Sequence, residues 1–129
     1  MNWYEIAQRN IQHPQVNKFV EMDVQRLIIE PLLQWLGYNT FDFNVVQEQT
    51  RISHSGKNAG KGRADYTIYH KNEPVMIIEA KMMSELLNDG DKIKQVLDYC
   101  NYHPKKPRWG ILTNGQHWHI YDNEDSGEA

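Results

Sequence analysis

A single cysteine, Cys100, is present in 129 residues, so neither a disulfide framework nor a cysteine-rich zinc site can be built within one chain. A lone thiol fits a reducing compartment. Long apolar runs are missing as well. Val75 to Ile78 and Leu27 to Ile29 fall far short of the roughly 20 residues that a bilayer span needs. The polar N-terminus lacks the apolar segment of a signal peptide. These absences predict a soluble, cytoplasmic protein without a membrane partner. Basic excess is lacking too. The formal net charge of −3 does not by itself suggest a nucleic-acid binder, although distribution decides more than the total. Arg51, Lys57, Lys61, Arg63 and Lys71 cluster mid-chain, opposed there only by Asp65 and Glu73, and acidic residues gather at Asp122, Glu124, Asp125 and Glu128. Taken alone, the basic cluster reads better as a solvated loop than as a nucleic-acid contact.

What is present suits one ordinary globular domain: 40% hydrophobic and 24% charged residues, in a chain long enough to close one core but not two. That domain is expected over residues 1–122, followed by an acidic, flexible tail at 123–129. A short helical pattern covers residues 3 to 12, and a stronger amphipathic one runs from about Gln15 to Leu36, stopped by Gly37. Pro31 lies inside it and predicts a kink, or two helices meeting near Glu30. A strand is expected around Val45 to Ile52, then a loop over Ser53 to Gly62. Ala64 to His70 and Pro74 to Lys81 read as a hairpin joined by a three-residue loop, Lys71, Asn72 and Glu73. Residues 88 to 102 return to helical spacing, with Asp89 or Asp91 as N-cap. Trp109 to Thr113 and Gln116 to Tyr121 flank Asn114-Gly115, which predicts a two-residue type I′ turn. The sum is an α/β fold: a central mixed sheet of about five strands flanked by helices.

The hairpin carries the chemistry. Glu79 and Lys81 are two apart on one strand and share a face. The three-residue loop would pair His70 with Pro74 and set Asp65 opposite Glu79, with Cβ atoms roughly 4.5–5.5 Å apart. Two carboxylates that close repel, and one is protonated unless a cation bridges them. Hard oxygen ligands suit Mg²⁺ or Mn²⁺. Lys81 on the same face would neutralise charge developing on a phosphate or help activate the attacking water. The spacing alone is permissive, and a solvated strand face would produce it too. Against that, Ile77, Ile78 and Ala80 mark the strand as central and buried, where charged residues need a purpose. Gln95 and Tyr99 share a face of the following helix at i, i+4.

Asp65, Glu79-Ala80-Lys81 and Gln95-Val96-Leu97-Asp98-Tyr99 together resemble the D, E-x-K and Q-x-x-x-Y motifs of the PD-(D/E)xK nuclease superfamily. The last motif is characteristic of the branch holding RecB-like nucleases and the N-terminal nuclease domain of the type I restriction motor subunit. Glu21 to Leu33, ending in Leu36-Gly37-Tyr38, is similar to the opening helix of those restriction domains, and Trp109 to Tyr121 to their last hairpin. Ala64 stands where the superfamily name has Pro.

The resemblance implies a restriction-endonuclease-like core and a Mg²⁺- or Mn²⁺-dependent endonuclease hydrolysing DNA. Asp65, Glu79 and the carbonyl of Ala80 would hold metal, and Glu21 would assist directly or through water, with Glu30 as second choice. Lys81 would stabilise charge, and Gln95 and Tyr99 would support substrate or site. Lys57, Lys61 and Arg63 would meet the DNA backbone. Other restriction-modification subunits or domains are the implied protein partners; no Gly-rich P-loop of a translocase occurs in this sequence, so full restriction activity is not expected of this chain by itself. A Holliday-junction resolvase shares the D and E-x-K pattern but acts as a dimer without the Q-x-x-x-Y helix. A non-catalytic DNA- or protein-binding module on the same scaffold is the alternative from another class.

Overall fold

The computed structural model describes residues 1–52 and 62–126. Helix α1 (Trp3–Ile11) starts at Asn2, whose side chain accepts the Glu5 N–H. The amphipathic stretch that follows is not helical from Gln15 onward. It opens with a single 3-10 turn, Val16–Lys18, breaks, and resumes as α2 (Glu21–Val24). From there it runs through a π-helical turn, Gln25–Ile29, directly into α3 (Glu30–Trp35). Of the kink or helix junction expected near Glu30, the structure has the junction: a wider turn ends at Ile29 and α3 starts at Glu30. Proline has no N–H to give and its ring crowds the carbonyl four residues back. A π turn lets the Glu30 N–H reach the Gln25 carbonyl instead.

Five strands follow: β1 (Val46–Ile52), β2 (Gly62–His70), β3 (Glu73–Ala80), β4 (Trp109–Thr113) and β5 (Trp118–Asp122), hydrogen-bonded in that order. All neighbours are antiparallel except β3 and β4, which run parallel across the connection formed by α4 (Gly90–Tyr102). The sheet is mixed, open and flanked by helices, so the chain has the α/β fold expected of it. The Ser53 to Gly62 loop expectation lies outside the described residues up to Lys61, and Gly62 already belongs to β2.

The β2–β3 turn differs from expectation in an informative way. Lys71 and Asn72 both take positive φ, 51° and 67°, and His70 pairs with Glu73. This is a two-residue turn of the I′ kind, not a three-residue loop. A shift between Ile68 and Tyr69 then brings Ile68 opposite Met76 and Tyr66 opposite Ile78. The extra residue on β3 compensates for the shorter turn and restores the register in which Asp65 faces Glu79. The reverse happens at Asn114-Gly115. Gly115 has φ +92° but Asn114 is not left-handed, and Thr113 pairs with Trp118 across a four-residue loop. The buried Asn114 closes that loop by accepting the Gln116 and His117 N–H groups on its side chain, which removes the need for a I′ turn.

One sheet face is covered by α2, the π turn and α3 through Val24, Ile28, Ile29 and Leu33, packed on Val46, Tyr66, Ile68, Ile78 and Ile111. The other is covered by α4 through Val96 and Cys100 against Ala64 and Ile77. The chain past Asp122, expected to be a flexible tail, begins with one helical turn, Asn123–Ser126 (α5), in which the buried Asn123 donates its N–H to the Arg108 carbonyl. Among the described residues no helix is long and apolar enough to cross a membrane.

Candidate active site

Parallel pairing of β3 with β4 leaves their carboxyl ends side by side, the position where open α/β sheets present their ligand sites. Glu79 and Ala80 close β3 there, and the Lys81 N–H donates to the Thr113 carbonyl at the end of β4 (2.8 Å). Asp65 enters from β2. The two carboxyls do not merely face each other. The Asp65 N–H donates to Glu79 Oε1 (3.0 Å), and the Ala80 N–H donates to Asp65 Oδ2 (2.8 Å). Each side chain thus satisfies a backbone donor on the opposing strand, which locks both carboxyls into the gap between β2 and β3.

Glu79 is 5% exposed. Burial first, and then the negative charge of Asp65, push its carboxyl up to about 8, against the lowering effect of the Asp65 N–H and of Lys81. With no metal cation beside it, Glu79 therefore keeps its proton at neutral pH. Lys81 offers a partial counter-charge: its Nζ lies 4.0 Å from Glu79 Oε2 and donates to Gln95 Oε1 at 3.3 Å. Gln95 Nε2 in turn donates to the Tyr99 hydroxyl (3.1 Å). Asp89 caps α4 by accepting the Asp91 N–H, and burial of Val96 and Cys100 against the sheet turns the Gln95–Tyr99 edge toward the carboxyls. The Tyr99 hydroxyl is held above its usual range, by burial and then by Glu79, so it serves as a neutral hydroxyl.

Glu21 arrives from the first position of α2. The Met83 N–H donates to the Phe19 carbonyl (3.0 Å), tying the segment after Lys81 to the entry of that helix. The Glu21 carboxyl is raised by partial burial, then by Asp65, with Lys81 lowering it and Glu85 raising it further, so it shares the electrostatic field of the pair. It does not close a ligand set: among the described residues no three His, Cys, Asp or Glu side chains converge as a ready-made metal site. Glu30, the second choice for this acid, is engaged elsewhere, accepting the Tyr66 hydroxyl at 2.7 Å. Arg63 lies exposed on β2 two residues before Asp65, its guanidinium 3.4 Å from the Gln49 carbonyl. Lys57 and Lys61 lie outside the described residues.

The structure therefore brings Asp65, Glu79, Ala80, Lys81, Gln95 and Tyr99 into one cluster, with Glu21 at its margin. Two neighbours escaped the sequence reading. Glu85 pairs with Lys92 at 3.0 Å beside Glu21, and Gln49 on β1 donates its amide to Asp65 Oδ1 at 3.0 Å. Its place on the strand before Asp65 is the only sequence signal Gln49 gives.

Fold and site together define an α/β domain in which a buried glutamate, a half-buried aspartate and a lysine meet at the carboxyl ends of parallel strands. The chain belongs to the family of the type I restriction enzyme R protein N terminus, whose model matches residues 42–129. The matched stretch contains Asp65, Glu79, Lys81, Gln95 and Tyr99 and begins after Glu21. No curated protein and no solved structure gives a significant match.

Proposed function

We propose that this chain is a single nuclease domain over residues 1–122 that hydrolyses DNA phosphodiesters with Mg²⁺ or Mn²⁺, as a PD-(D/E)xK endonuclease serving restriction-modification in the cytoplasm. The observation that carries this reading is the interlock of Asp65 and Glu79, with Lys81 Nζ 4.0 Å from Glu79. A buried glutamate held against a half-buried aspartate, at the cost of its own ionisation, is a poor structural device and a good cation cradle.

The donor set fits a hard divalent cation. Mg²⁺ is ordinarily held by one or two carboxylates and several waters, so the lack of a third close acid is no obstacle, and Glu21 would act through water. Asp65, Glu79 and the Ala80 carbonyl would hold the ion. Bound there, it would polarise the phosphodiester and make an attacking water more acidic. Lys81, aimed by Gln95, places an ammonium beside the pair, where it offsets charge gathering on the phosphate. Tyr99 fixes Gln95 and so, at one remove, Lys81. Arg63, with Lys57 and Lys61, would grip the DNA backbone without reading sequence. Restriction-modification subunits are the proposed protein partners.

The test is cleavage of linear, circular, nicked and branched DNA with and without Mg²⁺. Metal-dependent cleavage by the native chain, lost by more than a hundredfold in Asp65→Ala and Lys81→Ala while both variants keep their melting transitions, supports the proposal. DNA binding without cleavage of any form would make the chain a non-catalytic module, and undiminished cleavage by Asp65→Ala would remove the site.

A further inference from the structure

Strand β1 loses its regular conformation at one residue. Its register with β2 passes from Glu48 opposite Tyr66 to Thr50 opposite Ala64 without a regular pair between Gln49 and Asp65. The count of residues on the two strands is equal across this step, so no inserted residue forces the irregularity. Gln49 nevertheless takes φ 52°, in the left-handed region. An unbranched, non-glycine residue there is uncommon and carries a conformational cost. The compensating contact is specific. With its backbone turned this way, Gln49 donates from Nε2 to Asp65 Oδ1 at 3.0 Å, while its carbonyl accepts from the Arg63 guanidinium at 3.4 Å.

Asp65 is thereby held from both flanking strands. Ala80 on β3 donates to Oδ2 at 2.8 Å and Gln49 on β1 donates to Oδ1. One donor on each oxygen fixes the plane of the carboxylate, and each oxygen keeps a further lone pair to offer. Outer hydrogen bonds of this kind commonly orient metal-binding carboxylates. We propose that Gln49 is a positioning residue: its left-handed backbone exists to aim an amide at Asp65 and so set that carboxylate for a divalent cation. The inference rests on the cation-binding reading of Asp65 and Glu79, and it adds a group on a strand that no motif marks.

The experiment measures Mn²⁺ affinity of the metal-free chain by titration calorimetry, beside thermal melting, for the native protein, Asp65→Ala, Gln49→Gly and Gln49→Asn. Glycine and asparagine both accept positive φ, so neither substitution strains β1. Glycine has no amide, and the asparagine amide is one methylene too short. A positioning role predicts that both Gln49 variants weaken Mn²⁺ binding by about tenfold or more while Gln49→Gly melts at or above the native temperature. A purely structural role would move melting and leave affinity alone. Native Mn²⁺ affinity in both Gln49 variants overturns this inference but not the site. If the native chain takes up no Mn²⁺, or Asp65→Ala binds it as well as the native chain does, the site reading and this inference fall together.

Discussion

Glu79 concentrates the conflict between stability and the proposed activity of this domain. Its carboxyl is displaced from an ordinary 4.5 to about 8, by burial first and by Asp65 second. The folded chain keeps a proton there that the unfolded chain gives up, so the contribution is complete below the unfolded value and is lost as pH rises toward about 8. Glu21 and Glu48, also raised by burial, slope the same way. Without metal, the melting temperature should fall as pH goes from about 5 to about 8.5, a range bracketing most of that titration. Glu79→Gln should flatten the slope and raise melting at the alkaline end by about 4 °C or more, while abolishing cation-dependent activity. Thermal melts across pH check it, and a native profile that is flat, or rises toward alkaline pH, would contradict the assignment. Thr67 offers a control without a catalytic role. It is fully buried, and its hydroxyl has no hydrogen-bond partner among the described residues. Thr67→Val should gain about 1 kcal/mol in denaturant unfolding and leave Mn²⁺ affinity unchanged.

The elements show why part of the site was legible and part was not. Asp65, Glu79 and Lys81 could be brought together from period-two alternation, because a one-residue slip would turn a whole strand over. The turn was read one residue too long, yet the compensating shift at Ile68/Tyr69 kept the same facing pair, since the buried faces of Tyr66, Ile68 and Ile78 fix the register more firmly than the turn does. Asn114-Gly115 misled for a related reason: a buried Asn side chain built its own loop. The π turn before Pro31 and the left-handed Gln49 are local backbone choices set by tertiary contacts, and no periodicity records them. Helix α4 depends on a close approach at Gly110, where an added Cβ would come 3.3 Å from Cys100 Sγ and 3.4 Å from Val96 Cγ2. Gly110→Ala should push α4 outward and cost about 1–3 kcal/mol. Because Gln95 and Tyr99 ride on α4, DNA cleavage should fall more than tenfold in protein that is still folded. A variant that is destabilised but fully active would detach that helix from the chemistry.

At the scale of the whole molecule, a five-stranded mixed sheet with helices on both faces carries Asp65, Glu79 and Lys81 at one end of the parallel strands and apolar residues across both layers. With a net charge of −3, the proposed DNA contact would depend on local groups such as Arg63 and on the proposed cation, and DNA binding should weaken with salt but less steeply than for a strongly basic protein. Family membership rests on residues 42–129, the stretch that supplies the sheet, α4 and the acidic pair. The helices before it supply Glu21 and much of the core over Tyr66 and Ile78. If Asp65 and Glu79 share a divalent cation, anomalous diffraction from crystals grown with Mn²⁺ will show one peak within ligand distance of both carboxylates, absent from Asp65→Ala crystals. Crystals of the native chain with no manganese at that position, in conditions where the protein cleaves DNA, would contradict it.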